Sequence, residues 1–169
     1  MENYLLLSES AEINNLSRQL GFSSCKFLGT IKGETKKQLL KETNSAKGIK
    51  IYKPLNEDLL RFALEKTTVD IIYGMEDINY KDSLHYVRGG LDQITCKIAA
   101  SRGKTVAFSF SEILNTKNRG RLLARMRLNI KLCQKYKVNM IFGNFSSAVK
   151  EMRSKEDLQV FLRILSKEK

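Results

Sequence analysis

An α/β fold built on a mostly parallel sheet is what this sequence predicts, and three features predict it. Six short apolar, β-branched or aromatic runs alternate with stretches of helical periodicity, the rhythm of strand–helix units. Several of those runs are continuously apolar, as in strands covered on both faces, rather than alternating with polar residues. The 169 residues contain no Gly/Ser linker, low-complexity tract or long repeat, so a single domain over residues 1–169 is expected. Strand–helix units of this kind form right-handed crossovers. They curl into either an open doubly wound sheet or a barrel, and the pattern alone leaves both open.

The elements follow in order. Tyr4–Leu7 is the first strand, and Ser8 or Ser10 caps a helix from Ala11 to Leu20 that Gly21 ends. Lys26–Thr30 is a second, weaker strand. Thr35 to Lys41 has helical propensity, and Asn44 to Gly48 is turn material. Ile49–Tyr52 is the third strand, stopped by Pro54, the only proline. Asn56 caps a helix through Lys66 with Leu59, Leu60, Ala63 and Leu64 facing inward. Val69–Tyr73 is the fourth strand. A polar connector from Gly74 ends in Arg88-Gly89-Gly90-Leu91-Asp92, which opens a helix to Ser101. Lys104–Ser111 is the fifth strand, Asn118–Lys137 a long helix, and Val138–Gly143 the sixth strand. After a loop, Ser154 heads a capping sequence for the last helix, Lys155 to Leu165.

Charge is distributed unevenly. The net charge is +12, with apolar residues at 42% and charged residues at 28%, proportions that a folded protein accommodates. Residues 1–80 carry 11 Lys/Arg against 11 Asp/Glu; residues 81–169 carry 19 against 7, so the whole excess sits in the second half. Between Glu112 and Glu151 there is no acidic residue, while nine are basic. On a helical wheel Leu122, Leu123, Met126, Ile130 and Cys133 share one arc, and Arg121, Arg125, Arg127, Lys131 and Lys135 occupy most of the other. Spacing of i, i+4 aligns Lys117–Arg121–Arg125 and Arg127–Lys131–Lys135 as two basic rows. Like charges at that spacing oppose helix formation by a few tenths of a kcal/mol per pair, so a polyanion is the expected partner. Aromatic partners for stacked bases are few there (Tyr86, Tyr136, Phe145), which favours recognition by charge and shape.

Equipment for chemistry is sparse. His85 is the only histidine, too few for a metal-hydrolase barrel. No GxSxG, P-loop or GxGxxG occurs. Asp70, Glu76, Asp77 and Asp92 could hold Mg²⁺, but surface or cap roles suit them better. Cys25, Cys96 and Cys133 are dispersed and read as reduced thiols, the last two at core-like helix positions. The N-terminus has no basic n-region, and no apolar run approaches a membrane span, so a cytoplasmic protein without a membrane partner is expected.

Several stretches in order resemble the protein component 3 family of ribonuclease P, the thirty-kilodalton subunit of archaea and eukaryotes. They are Val69-Asp-Ile-Ile, Arg88-Gly-Gly-Leu-Asp92, Val106-Ala-Phe-Ser-Phe-Ser-Glu-Ile-Leu114, Arg121-Leu-Leu-Ala-Arg-Met-Arg-Leu-Asn-Ile-Lys-Leu132, Tyr136-Lys-Val-Asn-Met-Ile and Met152-Arg-Ser-Lys-Glu-Asp-Leu158. The resemblance covers residues 69–165; residues 1–68 share only the strand–helix rhythm. It implies a TIM-barrel-like fold, related to metal-dependent phosphoesterase barrels without their metal site. It also implies a non-catalytic subunit of the ribonucleoprotein that removes the 5′ leader of precursor tRNA, with the catalytic Mg²⁺ on the RNA and no cofactor in the chain. Expected partners are the ribonuclease P RNA, a Pop-five-type subunit in a two-plus-two assembly, and other ribonuclease P proteins. The family continues with further barrel segments where this chain stops at Lys169, so an incomplete barrel is expected.

Arg88, Arg119, Arg121, Arg125, Arg127, Lys131 and Lys135 are the expected phosphate contacts, with Arg153 and Lys155 at a helix N-terminus behind them. The rival expectations are a metal-dependent phosphoesterase-type barrel enzyme and a scaffold whose basic face binds an acidic protein.

Overall fold

A computed structural model of the chain describes residues 1–78 and 87–166. The expectations placed on His85 and Tyr86 lie outside the described residues. The chain runs β1 (Glu2–Leu5), α1 (Ala11–Gln19), β2 (Ser24–Phe27), β3 (Thr30–Ile31), α2 (Lys36–Ser45), β4 (Ile51–Tyr52), α3 (Glu57–Lys66) and β5 (Ile71–Tyr73). It continues with α4 (Gln93–Ser101), β6 (Thr105–Ser109), α5 (Phe110–Asn115), α6 (Arg119–Tyr136), β7 (Asn139–Gly143) and α7 (Lys155–Ser166). Short 3₁₀ turns occupy Met75–Asp77 and Val149–Glu151.

Every strand pair is parallel. β3-β4-β5-β6-β7 form one sheet and β1-β2 another. The two sheets are continuous through the chain at both ends. β2 runs into β3 across Leu28 and Gly29, so one bent stave pairs first with β1 and then with β4. On the other flank Leu5 bridges Ser146 just past β7; Phe145 N–H donates to the Tyr4 carbonyl at 2.8 Å and Leu6 N–H to the Ser146 carbonyl at 3.0 Å. A small apolar cluster fills the interior: Leu28, Ile51, Ile71, Tyr73, Ala107 and Phe145, with Tyr4, Leu6 and Ile141 against it. Residues from strands all around the ring, or from the stretches just beyond their ends, converge there, as in a barrel and not in an open sheet. With six staves and a thin β7–β1 seam, it is an incomplete TIM-type barrel.

The larger core lies between strands and helices, where Tyr52, Ile72, Val106, Phe108 and Phe142 meet Leu60, Leu64, Cys96, Met126, Ile130 and Leu158. Caps follow the sequence. Ser10, not Ser8, accepts from Ile13 N–H; Asn56 accepts from Leu59 N–H and Ser154 from Asp157 N–H. Two expectations are corrected. The run Lys26–Thr30 is not one straight strand, because it bends at Leu28–Gly29 to serve two neighbours. The fifth strand stops at Ser109, whose hydroxyl accepts from Glu112 N–H and starts α5, a helix hidden in an apolar run that also suits a strand. No described helix is long and apolar enough to cross a membrane.

Candidate nucleic-acid interface

Helix α6 carries the site, and its inner face is wider than its hydrophobic residues alone suggest. Leu122, Met126, Ile130 and Cys133 are buried, and so are Arg125 and Asn129 between them, at 1% and 0% exposure. Arg125 Nη1 donates to the Glu76 carbonyl. Asn129 Nδ2 donates to Glu76 Oε1 at 2.8 Å and to the Gly89 carbonyl at 2.7 Å. This polar row ties the 3₁₀ turn Met75–Asp77 and the loop before α4 to the long helix. Arg125 is therefore not a phosphate contact: its guanidinium serves a buried loop carbonyl, which would otherwise lack a partner. Burial raises the Glu76 carboxyl to about 7, against which the Asn129 bond pulls weakly, and its Oε2 has no partner among the described residues.

The glycines beside Arg88 are also explained by packing. Gly90 has φ of +87°, and a Cβ there would strike the Met75 carbonyl; one on Gly89 would strike Asn129 Oδ1. The N-terminal amides of α4 are capped from within, since Asp92 accepts from Thr95 N–H and Thr95 Oγ1 from Asp92 N–H. The Gly-Gly turn thus closes the loop onto α6.

The outer face keeps one of the two basic rows. Arg127 is half-buried, and Lys131 and Lys135 are exposed, spread over about 12 Å of helix at 1.5 Å per residue. Lys135 Nζ lies 5.4 Å from the Tyr136 ring centre. The four described ion pairs join Lys26 to Glu2, Lys53 to Asp77 and Glu112, and Arg61 to Glu65; none involves α6. At the start of the helix Arg121 is half-buried, and the exposed Arg119 donates to the Ile113 and Leu114 carbonyls, closing the end of α5. Arg88 is exposed on the loop that Asn129 anchors, lining a cavity with Leu128 of α6. Arg153 is half-buried; its Nη1 donates to the Lys150 and Met152 carbonyls, and its guanidinium lies 5.9 Å from the Phe110 ring. Lys155, half-buried, opens α7, its N–H donating to the Leu20 carbonyl. The structure thus gathers Arg127, Lys131 and Lys135 on one face, with Arg119, Arg121 and Arg88 on the same helix or its neighbouring loop. Arg153 and Lys155 belong to the entry of α7.

The sequence reading missed the barrel mouth, a cavity of about 420 Å³ at the C-terminal strand ends. Lys53, just past β4, donates to Glu112 Oε1 at 2.6 Å and Asp77 Oδ2 at 2.8 Å. Burial disfavours its charge, but the two carboxylates outweigh that and hold its pKa above the ordinary lysine value. Glu112 shifts upward too, because burial exceeds the pull of Lys53. Lys53 follows the strand that Pro54 ends, the position at which barrels place functional side chains, and that was the available signal. Among the described residues no three His, Cys, Asp or Glu side chains form a group able to hold a metal.

No protein-family profile matches the sequence, and no curated protein does. Among solved structures, a chain of the cryo-EM structure of archaeal ribonuclease P with mature tRNA aligns at TM-score 0.82 with 20% identity, covering 98% of this chain and 83% of that one. The two chains share one fold. A crystal structure of an amidohydrolase aligns at TM-score 0.51 with 12% identity, covering 96% of this chain but only 42% of that chain. The ribonuclease P chain therefore matches this one nearly end to end, whereas the amidohydrolase contains the same strand–helix pattern within a much larger body.

Proposed function

We propose that this chain is a non-catalytic, RNA-binding protein subunit of ribonuclease P, a member of the thirty-kilodalton family its motifs resemble, supporting the RNA in removal of the 5′ leader from precursor tRNA. The observation that carries this reading is the near-complete structural likeness to a chain of the archaeal holoenzyme. The cation row Arg127–Lys131–Lys135, with Arg119, Arg121 and Arg88 around it, supplies the chemistry an RNA backbone needs. On this reading the catalytic Mg²⁺ sits on the RNA, the chain holds no cofactor of its own, and a Pop-five-type subunit pairs with it two-plus-two. The test is reconstitution of precursor tRNA cleavage from the RNA and its proteins with and without this chain. Cleavage that depends on the chain supports the reading, and indifference to it refutes it.

The barrel mouth gives the enzyme reading its one specific observation, a cavity holding a lysine and two carboxylates. Turnover of model phosphoesters by the purified chain with Mg²⁺ or Mn²⁺ would favour that reading instead.

A further inference from the structure

The mouth cavity differs in chemistry from the phosphate-binding row. It holds one ammonium and two carboxylates, so it repels a phosphate that the outer face of α6 would attract. Its walls include the Tyr73 and Phe145 rings, which stack on one another at 6.2 Å, with Leu6 and Leu122 completing the apolar surface. A volume of about 420 Å³ is in the range of small-ligand sites. We propose that this cavity is a base-reading pocket that takes one unpaired guanine of a bound RNA, with Lys53 facing its O6 and the Asp77 and Glu112 carboxylates facing its N1–H and N2–H₂.

This inference rests on the RNA-binding reading above, and the hydrogen-bonding capacity of the pocket carries it. Lys53 uses two of its three ammonium protons on Glu112 and Asp77. Asp77 Oδ1 and Glu112 Oε2 accept no bond among the described residues. The pocket thus offers one donor beside two acceptors. The guanine edge presents the complement, an acceptor O6 next to two adjacent N–H donors. Adenine and cytosine each offer a single amino donor, and uracil one ring N–H. A site built for two donors leaves a carboxylate oxygen unpaired with any of them, which is how buried polar groups discriminate. Glu112 and Lys53 are partly enclosed, with side-chain exposures of 18% and 34%, while Asp77 at 55% stands at the open side, so Glu112 carries the stronger part of the discrimination. Cations for the flanking backbone lie close in sequence to the cavity lining. Lys117 directly follows Thr116, which lines the cavity, and Lys150 lies in the same loop as the lining residue Ser147; both lysines are exposed.

The experiment uses the full chain and short single-stranded uridine oligonucleotides carrying one central G, A or C, measured by fluorescence anisotropy, with GMP as competitor and a duplex RNA as control. The expected result is about tenfold tighter binding of the G oligonucleotide than of the others, the preference falling to about twofold or less in Asp77→Asn and Glu112→Gln, with duplex affinity unchanged. Thermal melts of both variants confirm that they fold. Absence of a G preference in the wild type, or its survival in both variants, overturns the proposal. GMP binding as tightly as the oligonucleotide also overturns it, since the occupant would then be a free nucleotide. A wild type that binds the duplex but shows no G preference refutes the pocket alone, whereas a wild type that binds neither RNA refutes the RNA reading beneath it.

Discussion

Reversing the intact cation row, Arg127→Glu with Lys131→Glu and Lys135→Glu, is the sharpest test of where RNA lies. The three side chains share one outward face and belong to none of the described ion pairs, so the substitution removes no described salt bridge. If each neutralises one phosphate, together they account for a slope of about −2.7 in log K against log salt on a duplex, at about −0.9 per phosphate. Between 50 and 200 mM salt that slope corresponds to a loss of roughly 40-fold in affinity. The triple variant should therefore bind duplex RNA more weakly at low salt and lose its affinity with salt less steeply, the slope flattening by about 2 to 3. The assay is anisotropy of a labelled duplex across a salt series, with circular dichroism to confirm the helix content. A variant that folds and keeps the wild-type slope would place the RNA elsewhere and refute the reasoning.

Arg125→Ala should act oppositely, destabilising the fold by about 3 kcal/mol through an unpaired Glu76 carbonyl and lost packing, a drop of roughly 6–12 °C in Tm by calorimetry. Glu76 makes stability depend on pH: its folded value of about 7 lies above the unfolded 4.5, so its contribution is full below pH 4.5 and lost as pH rises through 7, by about 3 kcal/mol in all. Glu76→Gln should flatten that part of the profile in denaturant titrations at pH 5 and pH 8, and an unchanged profile would exclude Glu76 as its source. Because the outer row of α6 repels itself, raising ionic strength from low values should raise the Tm of the wild type, and the increment should shrink in Lys131→Gln with Lys135→Gln.

How far the sequence could be read depended on whether a residue's chemistry and its position agreed. The strand–helix rhythm, the caps at Asn56 and Ser154 and the inward Leu59, Leu60, Ala63 and Leu64 were legible because propensity and burial point the same way. Arg125 was not. It sits three residues after Leu122 and four before Asn129, on the inner face by periodicity, yet its charge argued for the outside. Only the loop it serves, brought in from 49 positions away, explains an interior arginine. The mouth was illegible for a related reason. Lys53, Asp77 and Glu112 stand in three separate stretches, and Glu112 was concealed where the Lys104–Ser111 strand reading overran the start of α5.

The two faces of α6 depend on one another. A helix with six basic residues and no acidic one has little intrinsic reason to form beside a barrel, and i, i+4 repulsion works against it. What fixes it is the opposite face, where apolar burial is joined by Arg125 and Asn129 gripping the Met75–Asp77 turn and the Gly89 loop. That grip orients the helix about its own axis, since a rotation that carried the guanidinium and amide off these partners would leave buried polar groups unpaired. The outward direction of Arg127, Lys131 and Lys135 is thus set by buried hydrogen bonds on the far side of the same helix. On the proposed RNA-binding reading, a helix held in this way presents its cations to the phosphates from a fixed backbone.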